Sequence, residues 1–274
     1  MSSAIELTGV RQVFGVRDRQ GRPQQFVALD GLDLSIRAGE FFVLVGPSGC
    51  GKSTVLDLIS GLNRPEAGSI TVGDRLVEQP GLDRGFVFQQ YTLLPWRTAQ
   101  GNIEFALEAA GGLSKAERRE RARTYLELVG LTDFAHRYPH ELSGGMKQRV
   151  AIARSLSYEP EVLLMDEPYG ALDAQTRERL QQELLAIWRR TGTTIVFITH
   201  DIDEAVFLGE RVAVMSSRPG RIKAVVDIDL DREDPRRDVR SSEEFARHRH
   251  HVWSLLRSDL QAAPQEQAEV DRVA

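Results

Sequence analysis

Directly behind the apolar run Phe41–Val45 the chain reads Gly46-Pro47-Ser48-Gly49-Cys50-Gly51-Lys52-Ser53-Thr54. Glycines let a backbone wrap a phosphate with successive N–H groups pointing inward. A helix starting near Lys52 adds its positive end. Lys52 can then reach the outer phosphates of a nucleotide, and the Ser53 hydroxyl can ligate Mg²⁺. A chance glycine turn is the bland alternative, and the strand–loop–helix setting argues against it. A second apolar run, Val162-Leu163-Leu164-Met165, ends in Asp166-Glu167-Pro168. Asp166 suits a metal that prefers oxygen ligands, directly or through water. Glu167 suits the polarisation of an attacking water. Alone, the same pair could be an acidic turn capping the next helix. A third segment, Leu142-Ser143-Gly144-Gly145-Met146-Lys147-Gln148-Arg149, places Ser-Gly-Gly at a helix start, a further anion-binding terminus. One chain holding one nucleotide has no need of two such termini, so the surplus one points to a second subunit. The alternative is a capped helix with glycines for close packing.

These residues need elements to carry them. Apolar runs at Ile5–Val10, Val27–Ile36, Gly68–Val72, Gly85–Phe88, Thr194–Thr199, Arg211–Met215 and Ile222–Ile228 join those two as expected strands. Continuous apolar blocks suit buried strands, and their alternation with helical patterns argues α/β. The early runs lack intervening helices, which predicts an antiparallel subsheet with Arg17–Gln25 as its connecting loop. From about residue 90 to 160 strand signals vanish, which predicts a helical insertion. Within it Ser114 and Glu117 form a capping box, and the helix they start should stop at Gly130. A later helix, about 174 to 191, carries Leu180, Leu184, Ile187 and Trp188 on one face and ends at Gly192. A short helix, 243–257, is expected before a polar tail.

Taken together, and in this order, the phosphate loop, Gln89, Leu142-Ser-Gly-Gly, Asp166-Glu167, Ala171-Leu172-Asp173 and His200 resemble the ABC ATPase family over roughly residues 4 to 228. The resemblance implies an α/β fold: a P-loop NTPase core with an antiparallel β subdomain and an inserted α-helical subdomain. Residues 1–230 would form the ATPase domain, with about 90–160 inserted, and 231–274 a short charged helix and tail. It implies ATP and Mg²⁺ as cofactors, the metal held by Ser53, Gln89 and Asp166. Glu167 would be catalytic, with Gln89 sensing the γ-phosphate and His200 contacting it. Phe14 would stack on adenine, with Phe26 a rival. Ser143, Gly144, Gly145 and Met146 would act on the nucleotide of a second copy, Met146 standing where the family has Gln. Asp173 would lie in the loop that crosses to that copy. By itself His200 reads as a satisfied strand-end histidine rather than a catalytic one, and its position after the Thr194–Thr199 strand reverses that reading. Cys50 reads as a small loop residue and His248-Arg-His-His251 as a solvated helix face.

A net charge of −5 offers no global field for nucleic acid. The single cysteine, Cys50, rules out a disulfide within the chain and suits a reducing compartment. No signal peptide is expected from the N-terminus, and the longest apolar stretches fall far short of the roughly 20 residues that span a bilayer. Single, unfused cassettes resemble importer subunits. Leu93, Leu94 and Trp96 form an apolar knob just past Gln89, on the face that in this family receives a permease helix; the alternative is that they are core. Phe88-Gln-Gln with Leu-Leu-Pro-Trp, and Met215-Ser-Ser-Arg-Pro-Gly-Arg221, are similar to the nitrate/sulfonate/taurine importer group. The resemblance implies a homodimer at the cytoplasmic face of the membrane, held by permease subunits and served indirectly by a solute-binding protein. The competing expectation is a non-transport ATPase acting as a switch in an assembly complex.

Overall fold

A computed structural model describes residues 2–17, 20–170, 172–232 and 238–270. The chain forms two compact units. The first is Met1–Ser3 with Pro80–Val196, and the second is Ala4–Gln79 with Phe197–Ala274.

The second unit opens with a long hairpin, β1 (Ile5–Arg17) and β2 (Pro23–Ile36), paired from Ile5 opposite Ile36 to Arg17 opposite Pro23, with shifts of register between Leu7 and Val13. Arg17 and residues 23–25 of the expected Arg17–Gln25 loop are therefore strand. Gln24 and Gln25 carry no apolar signal, yet backbone pairing needs none where both faces meet solvent. Next come β3 (Phe41–Val45), α1 (Lys52–Ser60), β4 (Ala67–Val72) and β5 (Arg75–Leu76). The antiparallel subsheet expected in this part of the chain results, in the order β2-β1-β4-β5, although α1 intervenes before β4 and β3 lies outside this sheet.

In the first unit β6 (Arg84–Val87) precedes α2 (Ala99–Ala110), α3 (Lys115–Leu128) and α4 (Gly144–Leu156). The Ser114–Glu117 capping box starts α3, and Gly130 follows it in the left-handed region at φ 65°. β7 (Val162–Asp166) pairs parallel with β6, Phe86 opposite Leu164. α5 (Ala174–Thr191) buries Leu180, Leu184 and Ile187 and ends at left-handed Gly192. β8 (Thr194–Ile198) is buried throughout, and the division between the units falls within it.

The second unit resumes with α6 (Ile202–Leu208), β9 (Arg211–Met215) and β10 (Ile222–Asp227). β3 lies parallel to β9, Val43 opposite Val212, and β10 returns antiparallel. All five residues of β3 are buried, as a continuous apolar block requires. The last helix, α7, runs from Glu243 to Val270, well past the expected end at 257. Its second half is rich in Ala, Gln and Glu, strong helix formers that carry no apolar stripe for a periodicity argument to find.

Candidate functional site

In the second unit the turn from β3 into α1 is built by its glycines. Gly49 and Gly51 sit at φ 73° and 99°, and a Cβ on Gly51 would approach Leu29 Cδ2 to 2.8 Å. Side-chain-free backbone is what allows N–H groups to converge. Buried Lys52 donates from Nζ to the carbonyls of Gly46 at 2.9 Å and Pro47 at 3.0 Å, so the cation is fixed inside the loop. Cys50 is buried, its Sγ 2.7 Å from where a Gly46 Cβ would stand; it fills space as a small loop residue. Ser53 is exposed at the first turn of α1. Phe14 and Phe26, the two rivals for a base, are direct partners across β1 and β2. Directly opposed side chains share a face of the sheet, and both rings are half-buried.

β8 delivers His200 to an exposed position, in the same unit. Thr199 N–H bonds the Leu44 carbonyl at 3.3 Å, and the Thr199 hydroxyl accepts from Asp201 N–H at 3.0 Å. Asp201 caps α6. A cavity of about 620 Å³ opens here, lined by His200, Asp201, Ile202 and Asp203 with Arg249, His250 and Trp253 of α7.

The first unit holds the acidic pair and the third motif. β7 ends at Asp166, and Glu167 then takes φ 42°, a left-handed conformation that side-chain-bearing residues rarely adopt. Such strain gathers where a side chain must be aimed. A Cβ built on Gly170 would lie 3.8 Å from Gln89 Nε2 and 4.0 Å from Glu167 Oε2, so Gln89 and Glu167 flank one glycine. Ser143 caps α4, accepting from Met146 N–H at 3.3 Å. A Cβ on Gly144 would meet Leu172 at 2.9 Å and the Tyr91 hydroxyl at 3.1 Å, and one on Gly145 would meet Thr176 at 2.8 Å. The capping and close-packing functions of this segment are thus both present, while Ser143 stays exposed. Ala171 lies outside the described residues.

Asp173 caps α5, accepting from Thr176 N–H at 3.0 Å, and that bond holds its carboxyl below the usual aspartate range. A lowered folded pKa means the cap contributes fully above the ordinary aspartate value of about 3.9 and fades as pH falls through the lowered one. Asp173→Ala should lower the melting temperature by about 2–4 °C at pH 7. Thermal melts should show that gap narrowing below about pH 4; a gap independent of pH would contradict the assignment.

The knob is exposed at its tip. Trp96 is 71% exposed, and Leu93 and Leu94 are half-buried. Two residues the sequence did not single out hold its loop. Fully buried Asn102 accepts from Leu94 N–H at 2.7 Å and donates to the carbonyls of Leu94, Arg97 and Thr98 at 3.0–3.2 Å. Arg154 of α4 donates to Thr92 O at 2.7 Å, Thr92 Oγ1 at 2.9 Å and Tyr91 O at 3.3 Å. Polar residues interrupting the apolar faces of α2 and α4 are the only trace either leaves in the sequence.

Comparison with known proteins follows the same lines. The ABC transporter family model matches residues 29–170. A putative ATP-binding protein of Brucella abortus is 55% identical over 232 residues, 84% of this chain and 88% of the relative. The nitrate import ATP-binding protein NrtD of Synechocystis sp. is 49% identical over 258 residues, 92% of this chain and 95% of the relative. The taurine import ATP-binding protein TauB of Rhizobium johnstonii is 48% identical over 242 residues, 86% and 92% respectively. Among solved structures, the dimeric post-hydrolysis ATP-binding cassette MJ0796, bound to ADP and Pi, superposes with a TM-score of 0.70 at 35% identity. The match covers 82% of this chain and 99% of that one.

Proposed function

The chain belongs to the ABC transporter family, and on that premise we propose that this ATPase cassette drives an importer of a small anion of the nitrate, sulfonate or taurine type. It works as a homodimer at the cytoplasmic face of the membrane, held there by permease subunits and served indirectly by a solute-binding protein. The observation that carries the importer reading is the exposed Trp96 beside Leu93 and Leu94, on a loop tied down by Asn102 and Arg154. A tryptophan set out in solvent on a fixed loop is an anchor for a partner, whereas a core residue would be covered. Support for the substrate class comes from relatives named for nitrate and for taurine import at nearly equal identity.

The roles follow from the chemistry of the residues. Gly46–Thr54 cradles the phosphates, Lys52 neutralises them, and Phe14 stacks on adenine. Glu167 accepts the proton of the attacking water, and Gln89 and His200 contact the γ-phosphate. Ser143 to Met146 close on the nucleotide of the second copy, with Asp173 in the crossing loop. Residues 1–230 make the ATPase domain, about 90–160 its helical insert, and 231–274 an appended helix and tail. Ser53, Asp166 and Gln89 offer hydroxyl, carboxylate and amide oxygens, a hard donor set that fits Mg²⁺. Among the described residues no group of His, Cys, Asp and Glu forms a metal cage. Mg²⁺ held by that donor set would share its shell with substrate phosphates and neutralise their charge.

If two copies close on two nucleotides, ATP hydrolysis should rise faster than linearly with protein concentration at low concentration. Linear turnover in a dilute monomer would defeat the dimer reading. The importer reading is tested in vesicles holding the chain with its co-encoded permease and solute-binding protein. Nitrate, an alkanesulfonate or taurine should stimulate ATPase activity. Activity indifferent to all three would favour a switch in an assembly complex.

A further inference from the structure

The turn between β9 and β10, Ser216-Ser217-Arg218-Pro219-Gly220-Arg221, has no part in the roles assigned above. It is a closed structure: Ser216 N–H bonds Arg221 O at 2.9 Å, and Ser216 Oγ accepts from Arg221 N–H at 3.2 Å. It is also pinned to β2. Gly220 N–H bonds Ala28 O at 2.9 Å, Asp30 N–H bonds Gly220 O at 3.4 Å, and Arg221 pairs with Asp30. A Cβ on Gly220 would stand 2.1 Å from the Cys50 carbonyl, so glycine at this position is what lets the turn lie so close to the phosphate loop. Out of that pinned turn Arg218 reaches two places at once. Its Nε donates to the Gly49 carbonyl at 3.4 Å, and its guanidinium lies over the Phe26 ring, 5.2 Å from the centroid. Phe26 is the cross-strand partner of Phe14.

We propose that Arg218 is a positioning residue for nucleotide recognition, fixing the aromatic pair Phe14–Phe26 at a set spacing from the phosphate loop by bridging Phe26 and Gly49. A nucleotide presents a base and a phosphate chain at a fixed reach. A site that holds both binding surfaces at that reach beforehand loses less freedom on binding. The guanidinium suits the task because it is planar, stacks on an aromatic face and still donates at its edge; a lysine ammonium does only the last well. The proposal rests on the reading of Gly46–Thr54 as the nucleotide site. It adds that base affinity depends on a residue of the β9–β10 turn.

The test measures binding of MgATP and of inorganic tripolyphosphate by calorimetry for the full chain and its variants. Arg218→Ala should weaken MgATP about tenfold, the effect of losing the stacked cation that holds the aromatic pair at its spacing, and leave tripolyphosphate within about twofold. Arg218→Lys should recover only part of the loss. Phe26→Leu should weaken MgATP as well, and the double variant should bind no worse than Arg218→Ala alone, because either change breaks the same bridge. Equal losses for both ligands would make Arg218 a charge for the phosphates and overturn the proposal. So would additive losses in the double variant. If Arg218→Ala melts early, the Lys and Leu variants carry the same comparison. Wild-type affinity for MgATP in Lys52→Ala would refute the nucleotide site itself, a separate failure from that of Arg218.

Discussion

Glu167→Gln should abolish turnover, by about 10²–10⁴-fold, while leaving MgATP binding intact. The amide keeps the size of the carboxylate and can still bond a water, but it cannot take that water's proton. It also removes a negative charge from the neighbourhood of the γ-phosphate, so the closed state with two ATP molecules should persist. The geometry sharpens the expectation. Glu167 is held at φ 42°, and both it and Gln89 come within about 4 Å of where a Gly170 Cβ would stand. A substitution that keeps shape therefore disturbs neither the strained backbone nor the neighbouring amide. Size-exclusion chromatography with MgATP should show the variant as a dimer and the wild type as a monomer. Full turnover in the variant would remove Glu167 from the chemistry. A monomer unable to turn over would leave the base in place and count against ATP-driven closure.

Sequence and structure agree where the determinants are local. The β3–loop–α1 unit was legible because an apolar strand, glycines and a helix start lie in unbroken order. The ends of α3 and α5 were legible because capping chemistry is written within a few residues: Ser114 with Glu117, Asp173 with Thr176, and the glycines that follow. Legibility fails with distance. The polar end of the β1–β2 hairpin pairs without an apolar alternation to announce it, and the far half of α7 forms without an apolar stripe. Asn102 and Arg154 read as ordinary helix residues until the loop they fasten is in place. Arg218 meets Gly49 across 169 residues of sequence, and no periodicity reports such a contact. The chemical groups of the site are thus written locally, and the groups that aim them are tertiary.

Trp96→Ala should leave the isolated chain folded and its basal ATPase close to wild type, yet abolish stimulation of ATPase by transported substrate in reconstituted vesicles. Magnitude separates the two explanations of this residue. A buried tryptophan cut to alanine costs about 3–5 kcal/mol, enough to lower the melting temperature by many degrees. A residue 71% exposed pays little of that, and surface changes usually stay within about 0.5 kcal/mol. As an interface anchor the same side chain can contribute about 2 kcal/mol or more, over tenfold in affinity for a permease. The loop makes such an anchor effective. Asn102 fixes its backbone from α2, and Arg154 fixes it from α4, the helix that begins at Ser143-Gly144-Gly145. The Tyr91 hydroxyl, 3.1 Å from where a Gly144 Cβ would stand, closes the same connection from the other side. Force applied at Trp96 thus meets a loop bonded to the helix of the third motif, and Gln89 lies only a few residues before it. Arg154→Ala should therefore lose substrate stimulation too, with Trp96 still in place. Stimulation surviving both changes would show that the permease docks elsewhere, and a large fall in melting temperature for Trp96→Ala would show that the knob belongs to the core.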